Sequence, residues 1–291
     1  MPPLLLVVAL ALGSPSGMGL LPGTPQEADP EAPPRPRNLP DEGKIIELIR
    51  RSTGKAPRVD RGVDYTVFTD HASLDLPAFR RQLEQSLLQF EKVLQAKLPK
   101  GGASLTVIHF RSEKEYRRFC ESLELEQYVI EGFGCYAPRL SFRPVIVHGL
   151  MFGTLRHEAV HQFVDRALGP GIRRFPWVSE GLGALFEAYP LEEFRSYRRY
   201  PDGRKRILTP EFSLQAFVLQ KEILEGTYEI GATIHGILLL GRDREKYRKW
   251  LADMGKRKCA PTDLPRYLGR TWAELSEMIR DYCNKNKPIS R

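Results

Sequence analysis

An α+β fold, with a small mixed β-sheet and its helices in the N-terminal half and an all-helical C-terminal half, is predicted by three features of the sequence. Four short apolar runs of strand character lie before residue 150, stretches of helical periodicity separate them, and beyond that point the helical period continues almost to the end. No internal repeat interrupts this order.

The first residues read as an export signal over residues 1–21. Leu4 to Leu12 form an apolar run too short to span a membrane, followed by Gly13, Ser14 and Pro15, although no Lys or Arg precedes it. Secretion or delivery to a periplasm or cell envelope is expected, with no stable membrane insertion after the signal is cleaved. Residues 22–40 carry seven prolines among small and charged residues and read as an extended linker. The folded domain is expected over residues 41–291, as an α/β half to residue 168 and a helical half from 169.

Gly62 to Thr69 alternates Val63, Tyr65 and Val67 with polar neighbours, which predicts a half-buried strand. A helix follows, with Asp75 as N-cap, Pro77 in the first turn, and Leu76, Phe79, Leu83, Leu87, Phe90 and Leu94 on one face. Ala103 to Phe110 predicts another strand, and Ser112 with Glu115 a capping box that starts the next helix. Gly132 to Tyr136 and Phe142 to His148 are short strands around a turn. Near the end, Thr271 and Glu274 form a second capping box.

The 291 residues carry a net charge of +8, spread along the chain rather than gathered in one block, so charge alone does not argue for nucleic-acid binding. The densest basic stretch, Arg195 to Arg206, interleaves cations with Tyr197 and Tyr200 and is a candidate site for an anionic polymer, against a plain solvated loop. Cys120, Cys135, Cys259 and Cys283 make an even count. In an exported chain that allows two disulfides, with the local pairs Cys120–Cys135 and Cys259–Cys283 preferred, against four buried thiols.

The chemistry concentrates at residues 156–165, Arg-His-Glu-Ala-Val-His-Gln-Phe-Val-Asp, which contain H-E-x-x-H. Residues four apart on a helix lie one above the other, so His157 and His161 can present imidazole nitrogens to one ion. Glu158 sits one step round and can reach a water on that ion without taking a coordination position. A catalytic zinc site usually has three protein ligands, and Glu180, in Pro176-Trp177-Val178-Ser179-Glu180-Gly181-Leu182-Gly183, opens a second helix that can pack beside the first. Gly181 and Gly183 would let the two helices approach closely.

This constellation resembles the gluzincin metallopeptidases, whose signature is HExxH followed by a glutamate ligand in a W-x-x-E-G type segment. The resemblance covers residues 156–187, and the stretch Trp177 to Glu187 is also similar to a family of exported bacterial HExxH proteins. It implies a zincin-like fold and one Zn²⁺ per chain, held by His157, His161 and Glu180. Glu158 would be general base in hydrolysis of a peptide or protein substrate. A donor for the developing oxyanion is implied from the C-terminal half, where Tyr228 and His235 are the candidates. No Gly-x-Met-Glu-Asn motif lies upstream, so the glutamate that binds a substrate amino terminus is not visible and endopeptidase action is favoured. Ala184 stands where thermolysin-like members carry an aspartate that orients a histidine, which leaves Glu187 and Asp165 as candidate substitutes. The strand at Arg143 to His148 is a candidate substrate platform, with an extended peptide pairing with its free edge, and His148 is a subsite residue or a structural histidine. The alternative is a non-catalytic exported binding module that keeps the metal as a staple and holds an acidic wall or matrix polymer.

Overall fold

The computed structural model describes residues 41–100 and 102–289, so the expected signal and linker lie outside the described residues. These belong to one unit of the chain, Arg35–Arg291. Its strands are β1 (Arg58–Arg61), β2 (Tyr65–Thr69), β3 (Leu105–Phe110), β4 (Gly134–Tyr136) and β5 (Val145–His148), arranged in the order β1-β2-β3-β5-β4. The middle three are parallel and the two outer strands antiparallel to their neighbours. The helices of the first half are α1 (Glu42–Thr53), α2 (Leu76–Leu94), α3 (Glu113–Ser122), α4 (Gln127–Ile130) and α5 (Phe152–Ala167). The second half continues with α6 (Pro176–Phe186), α7 (Arg199–Ile207), α8 (Leu214–Leu219), α9 (Thr227–Leu240), α10 (Arg244–Gly255), α11 (Leu264–Leu268) and α12 (Trp272–Lys285). The predicted α+β class is the observed one.

The sheet divides the core in two. Tyr65, Val67, Leu105, Val107, Val145 and Val147 face α2 and α5, while Phe68, Ile108, Phe110 and Ile146 face Ile45 and Ile49 of α1 and Tyr116 and Phe119 of α3. Parallel strands covered on both faces are buried throughout, so β2 is fully buried rather than half-buried as its alternation predicts. Its polar residues are accommodated by pairing: Thr66 Oγ1 with Ser104 Oγ at 2.8 Å and Thr69 Oγ1 with His109 Nδ1 at 3.0 Å.

The predicted helix starts are formed as expected at α2, where Asp75 accepts from the Ala78 amide, and at α12, where Thr271 and Glu274 complete a capping box. At α3, Ser112 accepts from Glu115 N at 3.4 Å and forms only its own half of such a box. The Arg143–His148 platform is corrected. Strand β5 lies between β3 and β4, so it has no free edge, and the sheet ends instead at the three-residue β4. His148 packs its ring against Tyr116 and Phe133, at 5.0 and 5.7 Å between centroids. All four cysteines are free thiols, and Cys120 is hydrogen-bonded to Cys135 beside Tyr116 within the core.

Candidate metal centre

The interior strand β5 leads through Gly149, in left-handed conformation at φ 65°, into α5. That helix lies against the sheet with Leu155, Ala159, Val160, Phe163 and Val164 inward. It ends at Gly169, whose φ of 114° suits glycine and whose missing side chain leaves room for the Gly255 carbonyl. A short connection brings α6 back alongside.

Between α5 and α6, His157, His161 and Glu180 each offer one ligand atom, all within 4.8 Å of one another. His157 Nε2 is 3.3 Å and His161 Nε2 3.6 Å from Glu180 Oε2. Zinc bonds of about 2.0–2.2 Å in a tetrahedron set neighbouring donor atoms roughly 3.3–3.5 Å apart, close to the two histidine-to-glutamate separations, so the donor set fits the ion in its chemistry and in these two spacings. Among the described residues it is the one group of three or more His, Cys, Asp or Glu side chains gathered this closely.

Both histidines are turned toward that point by their other ring nitrogen. His157 Nδ1 donates to Glu187 Oε1 at 3.0 Å, and His161 Nδ1 meets Ser179 Oγ at 3.3 Å. Glu187 lies two helical turns beyond Glu180 on the same side of α6. Of the two candidates to replace the missing aspartate, Glu187 makes the contact. Asp165 instead accepts from the Tyr136 hydroxyl at 2.7 Å and pairs with Arg143 and Arg173.

Glu187 is itself buried and heavily bonded. Arg199 Nη2 reaches it at 2.7 Å and the Tyr197 hydroxyl at 2.7 Å, while Arg199 Nη1 extends to Glu229 at 2.9 Å and the guanidinium covers the Tyr228 ring at 5.3 Å. The sequence gives no motif for Tyr197, Arg199 or Glu229. Tyr197 and Arg199 are marked only by membership of the basic aromatic stretch, and Glu229 by nothing local. Most of that stretch is engaged within the chain: Arg195 bonds Asn286, Arg204 the Cys283 carbonyl, and Arg206 pairs with Glu225.

The electrostatics follow from this wiring. Burial opposes charge on His157, but hydrogen bonds to Glu180 and Glu187 overturn that and raise its pKa to about 10. Burial likewise opposes charge on Glu180, yet His161 and the hydrogen bonds from both imidazoles hold it well below the ordinary carboxylate range. Glu187 is depressed in the same way by His157 and Arg199. Glu158 moves upward because burial outweighs the nearby His157 and His161, while the Tyr136 backbone N–H stabilises its charged form.

The glycines of α6 serve two separate approaches. A Cβ on Gly183 would stand 2.6 Å from His157 Nε2, so this glycine makes room for the imidazole. A Cβ on Gly181 would stand 2.8 Å from the Gly231 backbone, so that glycine lets α6 lie directly on α9, not on α5.

The two candidates for the oxyanion donor part company here. Tyr228, at the start of α9, is part-buried, has its ring 6.0 Å from that of His157, and lies close enough to Glu180 for that carboxylate to act on its phenol. Burial, with Glu180 adding to it, pushes its phenol upward, so it is a proton donor at neutral pH. His235 is placed elsewhere. It is fully buried, touches α6 on the Gly181 side, stacks on Trp177 at 5.4 Å and is bonded through Nδ1 to the Tyr247 hydroxyl at 2.8 Å. Burial lowers its pKa to about 3, as befits a neutral core residue.

No family model matches the sequence, and no curated protein matches it either.

Proposed function

We propose that the protein is an exported, zinc-dependent metallopeptidase of the gluzincin kind, acting on peptides or proteins as an endopeptidase. The observation that carries this reading is the convergence of His157, His161 and Glu180, whose ligand atoms lie within 4.8 Å of one another with Glu180 Oε2 3.3 and 3.6 Å from the two imidazoles, and with Glu158 on the same helix as the histidines. The resemblance of residues 156–187 to the gluzincin signature supports peptide bonds as the target. The apolar run at Leu4 to Leu12 supports export. No helix among the described residues is long and apolar enough to cross a membrane.

Zinc held by the three ligands would supply Lewis acidity to an attacking water and to the substrate carbonyl. Glu158 takes a proton from that water on its carboxylate and returns it to the leaving amine. Its raised pKa brings it nearer to a group that can both accept and release a proton. The Tyr228 hydroxyl donates to the oxygen on which charge develops. Glu187 positions His157, and Arg199 with Tyr197 holds Glu187 in turn. Strand β4, paired on one side only and with its Tyr136 N–H near Glu158, offers a short edge for an extended peptide.

Metal analysis paired with a peptide-library assay tests this reading. One zinc per chain and cleavage abolished by chelators are expected. In Glu158→Gln zinc should be retained and cleavage lost. Bound zinc without chelator-sensitive cleavage of any peptide would overturn the enzyme.

A further inference from the structure

One turn beyond His161 on α5, the Asp165 side chain is fully buried, yet two guanidiniums reach it from the surface. Arg143 Nη1 is 3.4 Å and Arg173 Nε 3.0 Å from its two oxygens, and those arginine side chains remain 48% and 36% exposed. The Tyr136 hydroxyl also donates to it at 2.7 Å. Within this group of three, one buried carboxylate meets two accessible guanidiniums, a local excess of one positive charge.

The position of that surplus connects it to the metal centre. Glu158, His161 and Asp165 are three and four residues apart and share one face of α5, with Asp165 about 6 Å along the axis from His161. Tyr136 lies between them, its backbone N–H near enough to Glu158 to favour the charged carboxylate and its hydroxyl donating to Asp165 at 2.7 Å. Tyr136 and Arg173 both line an open cavity of about 480 Å³ beside β4, whose other charged lining residues are Glu124, Glu126 and Arg139, the last 3.7 Å from Glu126. Arg143 is held at φ 40°, a left-handed conformation that side chains other than glycine seldom adopt, and the Gln162 amide donates to its carbonyl at 2.8 Å.

We infer that Arg143 and Arg173 form an anion-anchoring site for a carboxylate of the substrate, either an acidic side chain or a free C-terminus. The inference rests on the hydrolase reading of the metal centre. Guanidinium forks match carboxylate geometry, and Asp165 with Tyr136 holds Arg173 at the cavity wall, with Arg143 on the other Asp165 oxygen. An extended chain advances about 3.3 Å per residue, so the anchored carboxylate belongs one to three residues from the scissile bond.

The test uses the full-length zinc-loaded protein and matched peptides. One set differs only in Glu or Gln within three residues of the cleavage site; the other differs only in a C-terminal acid or amide. The carboxylate form should be preferred by about tenfold in kcat/KM, chiefly through KM, which is the gain from roughly one charge-assisted hydrogen bond. The set that shows the preference identifies the source of the carboxylate. In Arg143→Gln and in Arg173→Gln, each of which leaves Asp165 one cation, the ratio should fall toward one. A ratio measured on one preparation does not depend on how much of it is folded. Calorimetric binding of the same peptides to zinc-loaded Glu158→Gln provides a readout without turnover. Cleavage with no carboxylate preference, or a preference that survives both arginine substitutions, would overturn the anchor and leave the hydrolase standing. Preferential binding, lost in the arginine variants, in a protein that cleaves no peptide would sink the hydrolase and support the anchor.

Discussion

Glu187 Oε1 accepts from His157 Nδ1 at 3.0 Å, and this contact determines that Nε2 is the nitrogen facing Glu180. Glu187→Gln keeps the shape and removes the charge, so zinc affinity should fall by about 10–100-fold, the usual cost of losing such a partner. Competition with a chromophoric chelator measures it. Glu187→Ala should in addition destabilise the fold by about 3–5 kcal/mol, because Arg199 loses one of its two carboxylates in a largely buried setting. Unchanged zinc affinity in the Gln variant would show that His157 is oriented by something else.

Metal uptake should release a proton. In the metal-free fold His157 has a pKa of about 10, so at pH 7 its ring is charged and must lose a proton to bind zinc. Titration in buffers of differing ionisation enthalpy should show about one proton released per zinc at pH 7, with affinity rising as pH rises. Stability of the metal-free protein runs the opposite way. A pKa raised above the unfolded value gives stability that is complete below about 6.5 and is lost as pH climbs through about 10. Glu180 and Glu187, both depressed, add stability above the ordinary carboxylate range that is lost in acid. Chemical denaturation of the apo protein at pH 4, 7 and 10 should therefore peak in the middle.

Gly183→Ala and Gly181→Ala, two residues apart, should fail differently. The first drives a methyl group into His157 and should lower zinc affinity by more than about tenfold, by displacing a ligand. The second pushes α6 off the Gly231 backbone and should cost about 1–3 kcal/mol or more in stability. Zinc titration and thermal unfolding of both variants distinguish the two. Equal loss of zinc in both would contradict the separate roles.

Tyr228→Phe should bind zinc and fold as the parent does while losing about 10²–10³-fold in kcat. His235→Ala should unfold more readily, by about 2–4 kcal/mol, through a lost core contact and the bond to Tyr247, with activity per bound zinc retained in the folded fraction. Full activity in Tyr228→Phe would remove that residue from the mechanism.

What the sequence discloses about the centre is what a helix enforces by itself. His157 and His161 meet because four residues make about one turn, and Glu180 follows within the next helix. The choice between Glu187 and Asp165 is not local. Both are acidic and near a ligand in sequence, and only the packing of α6 on α5 directs one to His157 while the other turns to Arg143 and Arg173. His235 has helical spacing that suits an inward residue, but which interior it enters depends on the Gly181–Gly231 approach of α6 and α9. Strand order escapes local reading too. β5 inserts between β3 and β4 and pairs with both, so the strand before α5 is interior. Arg199 reads as surface charge because its two carboxylates arrive from Glu187 and Glu229, on different elements.

The four groups closest to the chemistry, His157, Glu158, His161 and Glu180, fall within one helix pair, but their supports do not. Tyr197 and Arg199 lie further along, and Tyr228 and Glu229 come from α9. Grafting residues 157–187 onto another scaffold would therefore transplant the ligands without the arginine that braces them. Such a chimera would own the motif and hold its ion loosely. Portability of the signature and competence of the centre are separate properties, and in this chain Arg199 marks the boundary between them.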